Sequence, residues 1–237
     1  MPGPPTTPDY DIVWREVYGD MQEHGPVHRH LRRLLEKLLG TMDYRSALDV
    51  GCGGGHNLEL LADGTGLERS TGLDISEEAL DRARRRGFTE TSRLDIERDR
   101  LDDTWDLVLS SLVLEHLPDD TDALRNMRAM CGRHLLVSTI AGDFERYRAW
   151  DEQMGHVRNY RRGELEAKLS DAGFEVEAAI YWGFPFYSPL ARLLQNRMTS
   201  QASHGAATRA LAEAMYWLYF LNSNRRGDLL VIAARPV

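Results

Sequence analysis

The sequence predicts an α/β protein built around one mostly parallel sheet, and three observations carry that expectation. Short apolar runs alternate with amphipathic runs from residue 46 to residue 140, the pattern of strands joined by covering helices. The run Leu48-Asp49-Val50-Gly51-Cys52-Gly53-Gly54-Gly55 reads as a buried strand breaking into a glycine turn, where small residues let the backbone approach a ligand closely. A chain of 237 residues, 42% hydrophobic and 28% charged, has the composition of an ordinary globular domain of that size.

The elements follow in order. Residues 1–9 are proline-rich, with neither a basic n-region nor an apolar h-region, and read as a disordered leader. Residues 10–40 read as helical: Leu31, Leu34, Leu35, Leu38 and Leu39 form a stripe at helical spacing, and Gly40 ends it. His24, His28 and Arg32 share a face only if that helix is continuous, which Pro26 opposes. Then come a strand at 46–50, a helix at 55–63, a strand at 70–74, a helix at 76–86, strands at 90–95 and 105–111, a helix at 119–130 and a strand at 134–140. Ser76-Glu77-Glu78 is a helix start, with a capping serine and acids in the first turn. Beyond these, residues 162–172 read as a short helix, 174–182 as a strand and 228–234 as the last strand. Residues 183–227 are too long for a hairpin loop and read as a helical cap with a helix at 206–222. The expected organisation is one domain over 10–237.

Composition narrows the function. A formal net charge of -8 argues against a protein that tracks a nucleic-acid backbone. No apolar run approaches the ~18 residues of a membrane span. Cys52 and Cys131 are the only cysteines, and two free thiols in a reducing cytoplasm is the simpler reading.

The glycine turn admits two cofactors. A dinucleotide fingerprint wants a small residue at the sixth position from Gly51, where His56 stands, and Asp49 would face a pyrophosphate repulsively. A cationic cofactor turns the same carboxylate into an attraction. Asp74 ends another apolar segment about 20 residues on, where a ribose would be held.

Taken together, five motifs resemble those of the class I S-adenosylmethionine-dependent methyltransferases, small-molecule subgroup. They are Asp49 to Gly55, Leu73-Asp74-Ile75-Ser76, Leu94-Asp95-Ile96, Trp105 to Leu117, and Gly155 to Tyr160 with Ala172-Gly173-Phe174. The resemblance covers about residues 45–183 and the last strand. It implies a Rossmann-like fold with a seven-stranded sheet whose last strand is antiparallel, plus a helical cap. By that resemblance the amides of Gly51, Cys52, Gly53 and Gly55 line the methionine part of S-adenosylmethionine, and Asp49 orients the loop and the ammonium. Asp74 accepts from the ribose hydroxyls, Asp95 meets the adenine amino group, and Ile75 and Ile96 lie on the ring faces. Ser110 and Ser111 stand where the fourth strand opens toward the methyl group. Met130-Cys131-Gly132-Arg133 replaces the family's usual Pro-Gly-Gly turn.

The expected reaction gives S-adenosylhomocysteine and methylates an oxygen or nitrogen of a small molecule, in a bacterial natural-product or sugar pathway. Alternatives are an RNA- or protein-modifying enzyme and a non-catalytic cofactor-binding protein. His116 and His156 are the candidate bases, since imidazole titrates in the useful range; both have an equally plain structural reading. A Glu-x-x-Glu-His metal pattern of some relatives has Leu112 at its first position, so no metal is expected. Tyr160, Trp182, Phe186 and Tyr187 are the expected acceptor contacts. The aromatic insert reads either as a lid or as the core of a cap or a homodimer contact.

Overall fold

The computed structural model describes residues 9–16, 21–62, 66–195 and 206–237. Residues 1–8 of the expected leader, and Tyr18, lie outside them. Asp9 is ordered: its Oδ1 accepts from the Asp11 amide at 3.0 Å and so caps the first helix.

The helical stretch expected over residues 10–40 is three helices, α1 (Tyr10–Glu16), α2 (Met21–His24) and α3 (Pro26–Leu39). The break falls at Gly25-Pro26 because proline, lacking an N–H, is tolerated at the first position of a helix and not inside one. Leu31, Leu34, Leu35 and Leu39 form the buried stripe of α3.

From there strands and helices alternate: β1 (Ser46–Val50), α4 (His56–Ala62), β2 (Arg69–Asp74), α5 (Glu77–Arg85), β3 (Thr91–Arg93), β4 (Trp105–Ser111), a three-ten turn at Leu114–His116, α6 (Asp120–Met130), β5 (Cys131–Ile140), α7 (Phe144–Gln153), α8 (Glu164–Asp171) and β6 (Phe174–Trp182). The cap follows, as a wide helical segment at Phe186–Ala191, α9 (Arg192–Gln195), α10 (Ala206–Leu218) and a three-ten turn at Tyr219–Leu221. β7 (Leu229–Pro236) closes the chain. The strand expected at 134 begins at Cys131, directly after α6, so there is no separate turn at Met130–Arg133. The extra residues pair with Trp105 across a register shift.

The sheet order is β3-β2-β1-β4-β5-β7-β6, with β7 antiparallel to both neighbours and the other pairs parallel. The expected fold class is therefore the observed one. Alternate residues feed two cores. Ala47, Leu107, Leu109 and Leu136 face the leucines of α3 and α4. Leu48, Val50, Val108, Leu135 and Val137 face Leu124 and Met127 of α6 and Leu165 and Leu169 of α8. A sheet buried on both faces explains why its strands read as nearly continuous apolar runs. Chain connectivity reverses direction between β1 and β4, and a crevice opens beyond the carboxyl ends of strands at such a point.

Candidate active site

A cavity of about 620 Å³ occupies that crevice, floored by the ends of β1, β2 and β4 and roofed by α1 to α3 and the cap. Its glycine loop is pinned by the amides of Gly51 and Cys52, both donating to the Leu73 carbonyl at 2.8 Å. Gly51 and Gly53 have φ of 73° and 53°, which side chains resist. A Cβ at Gly51 would sit 2.2 Å from Val113, and one at Gly53 2.5 Å from the Trp14 ring. Cys52 is a buried spacer, and burial pushes its thiol well above its ordinary range. Gly55 packs against α5 rather than facing the cavity: a Cβ there would meet Phe88 and Ala83 at 3.1 and 3.2 Å.

Two carboxylates lie at this loop. Asp74 is 8% exposed; its Oδ2 accepts from the Gly53 amide and its Oδ1 from the Ser76 amide, both at 2.9 Å. Burial still raises its pKa to about 6, against the amides of Ser76, Gly53 and Ile75. Asp49, beneath it, is fully buried, and among the described residues neither oxygen has a partner in good hydrogen-bond geometry, the Asn57 side chain being close enough only to ease its burial. Burial, then the charge of Asp74, push Asp49 to about 8, with the nearby Asn57 amide easing it. Two carboxyl groups held dry without a cation, one of them driven to keep its proton, are a site that lacks its counter-charge.

Ile75, Asp95 and Ile96 line the next stretch of the cavity. The Asp95 carboxylate also closes its own turn through the Glu97 amide at 3.1 Å and pairs with Arg98 at 3.4 Å. At the end of β4, Ser111 lines the cavity and accepts from the Ser138 hydroxyl at 2.8 Å. Ser110 is fully buried below it and does not line the cavity; its hydroxyl has no partner. Leu112, also in the wall, has φ of 58° and is the only non-glycine residue with positive φ among those described. Strained backbone of this kind persists where surrounding contacts over-determine it, here the Leu112 amide donating to the Ser138 carbonyl at 2.8 Å.

Beyond Ser111 stand Glu115, His116 and His156, whose ligand-type atoms all lie within 4.8 Å of one another, the one such cluster of three among the described residues. Glu115 is fully buried; its Oε2 accepts from Thr139 at 2.8 Å and its Oε1 has no partner. Burial raises its pKa, and His156 opposes the rise. The imidazoles meet edge to face at 4.8 Å. His116 Nδ1 lies 3.2 Å from the Gly155 carbonyl, and burial, then His156, lower its pKa to about 3. His156 Nδ1 lies 3.3 Å from Asp151 Oδ1.

Of the expected acceptor contacts only Tyr187 lines the cavity. Tyr160 is a core residue whose hydroxyl donates to Asp120 at 2.7 Å. Trp182 is fully buried, stacked between His30 and Tyr187. Phe186 packs on the outside of the same apolar core. Aromatics next to a glycine kink read like lid residues in sequence, but their rings fill the joint between cap and sheet. The acceptor side is lined instead by Leu31, Trp150, Leu194, Leu211, Ala212 and Met215. His28, Arg32 and His56 also line the cavity on the wall that α3 and α4 supply; burial lowers both imidazoles to about 4, so Arg32 carries the positive charge there.

Fold and site together define an α/β protein that holds a nucleoside-bearing, positively charged cofactor at the switch point of its sheet. A methyltransferase-domain family matches residues 21–179, and the chain belongs to that family. Its class is that of the class I methyltransferases, whose cofactor is S-adenosylmethionine. The ubiquinone biosynthesis O-methyltransferase of Vibrio parahaemolyticus is 30% identical over 149 residues, which span 56% of this chain and 60% of that protein. A chain from the complex between the Haloferax volcanii Trm112 methyltransferase activator and a methyltransferase shares the fold with a TM-score of 0.65 at 18% identity, covering 91% of each chain. N-methyltransferase NodS from Bradyrhizobium japonicum, solved with S-adenosyl-L-homocysteine, shares it with a TM-score of 0.62 at 20% identity, covering 96% of this chain and 97% of that one.

Proposed function

We propose that the chain transfers the methyl group of S-adenosylmethionine to a hydroxyl of a small, largely apolar acceptor, such as a phenol or catechol, releasing S-adenosylhomocysteine. The observation that carries this is Asp49, dry and unpartnered beside Asp74 at the glycine loop. When bound, S-adenosylmethionine supplies an electrophilic methyl group on a positively charged sulfur. The residues fit that group. The glycine cradle leaves backbone room, and Asp49, buried beneath the loop and outside the cavity lining, adds negative charge that favours an ammonium there. The free lone pairs of Asp74 suit ribose hydroxyls, and Arg32 suits a carboxylate.

The protein's own part is alignment and proton removal. Leu194, Leu211 and Met215 of the cap present an apolar wall that an apolar acceptor would cover. His156 takes the acceptor proton on Nε2, leaving oxygen to attack as the carbon–sulfur bond breaks. His116, which burial makes a weak proton acceptor, is its polar neighbour and not a second base. No divalent ion takes part in this reading: Glu115 spends one oxygen on Thr139, and among the described residues no second carboxylate belongs to the cluster. An oxygen acceptor is favoured by the likeness to the Vibrio O-methyltransferase, and the apolar wall favours an aromatic over a sugar. The net charge of -8 disfavours RNA.

The test pairs calorimetry with transfer. S-adenosylhomocysteine binding and labelled methyl transfer from S-adenosylmethionine to a panel of catechols, phenols and amines are measured on the full chain. Binding with transfer to a phenolic oxygen supports the reading. Binding without transfer to any member makes the protein a cofactor binder, and no binding removes the cofactor assignment.

A further inference from the structure

Asp151 and Arg192 belong to no motif in the sequence, yet they form the most deeply buried ion pair among the described residues. Asp151 is 0% exposed and Arg192 2%. One guanidinium nitrogen of Arg192 lies 2.8 Å from both carboxylate oxygens of Asp151. The other reaches the Ala141 carbonyl at 3.3 Å and Asp228 at 3.4 Å, while the guanidinium carbon lies 4.0 Å from the centre of the Tyr147 ring. Asn159 donates to Asp151 Oδ2 at 2.7 Å. The remaining partner of Asp151 is His156 Nδ1, and the His156 amide also donates to the Asp151 carbonyl at 2.8 Å. The pair thus joins α7, which carries the carboxylate, to α9, which belongs to the cap, with the histidine of the cavity wall on its inner side.

The chemistry of the partners fixes the imidazole. An ionised carboxylate only accepts hydrogen bonds, so Nδ1 must hold a proton, and in the neutral imidazole the free lone pair is then on Nε2. The carboxylate is kept ionised although it is buried: burial would raise its pKa, but His156, Arg192 and Asn159 together bring it below the ordinary range. A fixed carboxylate also favours the imidazolium that a base becomes once it has taken a proton.

We propose that Asp151 is a positioning residue for His156 and that Arg192, carried by the cap, holds it in place, so that seating of the cap prepares the histidine to accept a proton. This rests on the reading of His156 as the base. The groups facing His156 are Asp151 from α7, Glu115 and His116 from the three-ten turn after β4, and Arg192 from the cap through Asp151. The His116 Nδ1 is taken by the Gly155 carbonyl, and Glu115 commits its Oε2 to Thr139.

The experiment is long-range ¹H–¹⁵N NMR of the imidazoles in the full chain bound to S-adenosylhomocysteine, with His156→Gln identifying the signal. The wild type is expected to show His156 as a single tautomer protonated on Nδ1. Asp151→Leu combined with Arg192→Met removes both buried charges at once, which a core tolerates better than losing one. It is expected to give mixed tautomers and a titration midpoint lower by about one pH unit or more. Asp151→Asn keeps the shape and loses the charge; it is expected to lower the midpoint alike, and it alone carries the test if the double variant does not fold. In each folded variant, S-adenosylhomocysteine affinity should stay within about twofold. Unchanged tautomer and midpoint overturn the proposal, as does a loss of S-adenosylhomocysteine binding in the folded variants, which would make the pair general scaffolding. Failure of the methyl-transfer reading shows separately, as wild-type protein that transfers nothing while its histidine behaves as described.

Discussion

The amide of Gly53 donates to Asp74 Oδ2 at 2.9 Å, so the loop after β1 and the acid at the end of β2 are one rigid unit. A cofactor that met either would meet a surface already set by the other. The Trp14 ring covers Gly53 from outside, and α1 holds it there: Asp11 Oδ1 accepts from the Ser76 hydroxyl at 2.6 Å and the Glu78 amide at 3.1 Å.

Gly53→Ala is expected to break that unit. At φ of 53° a side chain costs on the order of 1 kcal/mol. Its Cβ would also lie 2.5 Å from Trp14, so the ring must leave. S-adenosylhomocysteine affinity should fall more than about tenfold, with a change in tryptophan emission as Trp14 is displaced. Calorimetry and fluorescence on one sample check both.

Asp74→Ala removes the acceptor of two amides and of the ribose hydroxyls together. A weakening of cofactor binding by about 1–3 kcal/mol is expected, from the unpaired polar groups left behind. Unchanged affinity by calorimetry would show that the ribose lies elsewhere.

Asp49 makes cofactor binding depend on pH. Its native pKa of about 8 stands above its unfolded value of 3.8, so the folded ligand-free protein holds a proton that the unfolded chain has lost. That group's stabilisation is complete below pH 3.8 and is lost as pH rises through 8. A cationic ligand needs the ionised form, so affinity should rise up to tenfold per pH unit from pH 6 to about 8, and level off where the ligand's own amine titrates. Asp49→Asn should flatten this dependence and weaken binding. It should also raise the melting temperature of ligand-free protein at pH 8 by roughly 2–4 °C for each kcal/mol relieved. Function here opposes stability.

His156→Gln should lower kcat by about 10²- to 10⁴-fold, the usual contribution of a general base. His116→Gln should cost less than about tenfold, because a pKa of about 3 makes it too weak a proton acceptor to serve as the base. Equal losses in the two variants would assign them a shared role.

Treatment with EDTA should leave the rate unchanged. A loss restored by magnesium would convert Glu115, His116 and His156 from a proton-transfer group into ligands, and would overturn the metal-free reading.

What the sequence made legible was local. Asp49 and the glycines stand in the run that ends β1, Asp74 and Ser76 in the run that ends β2 and starts α5, and those runs are readable in place even though the contacts between them are not. The alternation of strands and helices yielded the sheet for the same reason. What it hid were partners far apart in the chain. Tyr160 reads as a site residue by its motif, yet its hydroxyl serves Asp120, 40 positions away. Trp182 carries no mark in the sequence that it will stack on His30 of α3. Asp151 and Arg192 look like ordinary surface charges of two helices, and only the fold, which closes the 41 positions between them, takes both out of water. The cap was legible as an insert, but not which of its faces would be wet.

The roof over the glycine loop has a kinetic consequence. With Trp14 against Gly53, and Arg82 donating at 2.8 Å to the Trp14 carbonyl, α1 lies across the way by which a nucleoside would pass. Each turnover is then expected to include one lifting of that helix, so that Asp11→Ala or Arg82→Ala shortens the residence time of S-adenosylhomocysteine, as read by stopped-flow release, although neither residue lies beside the expected methyl group.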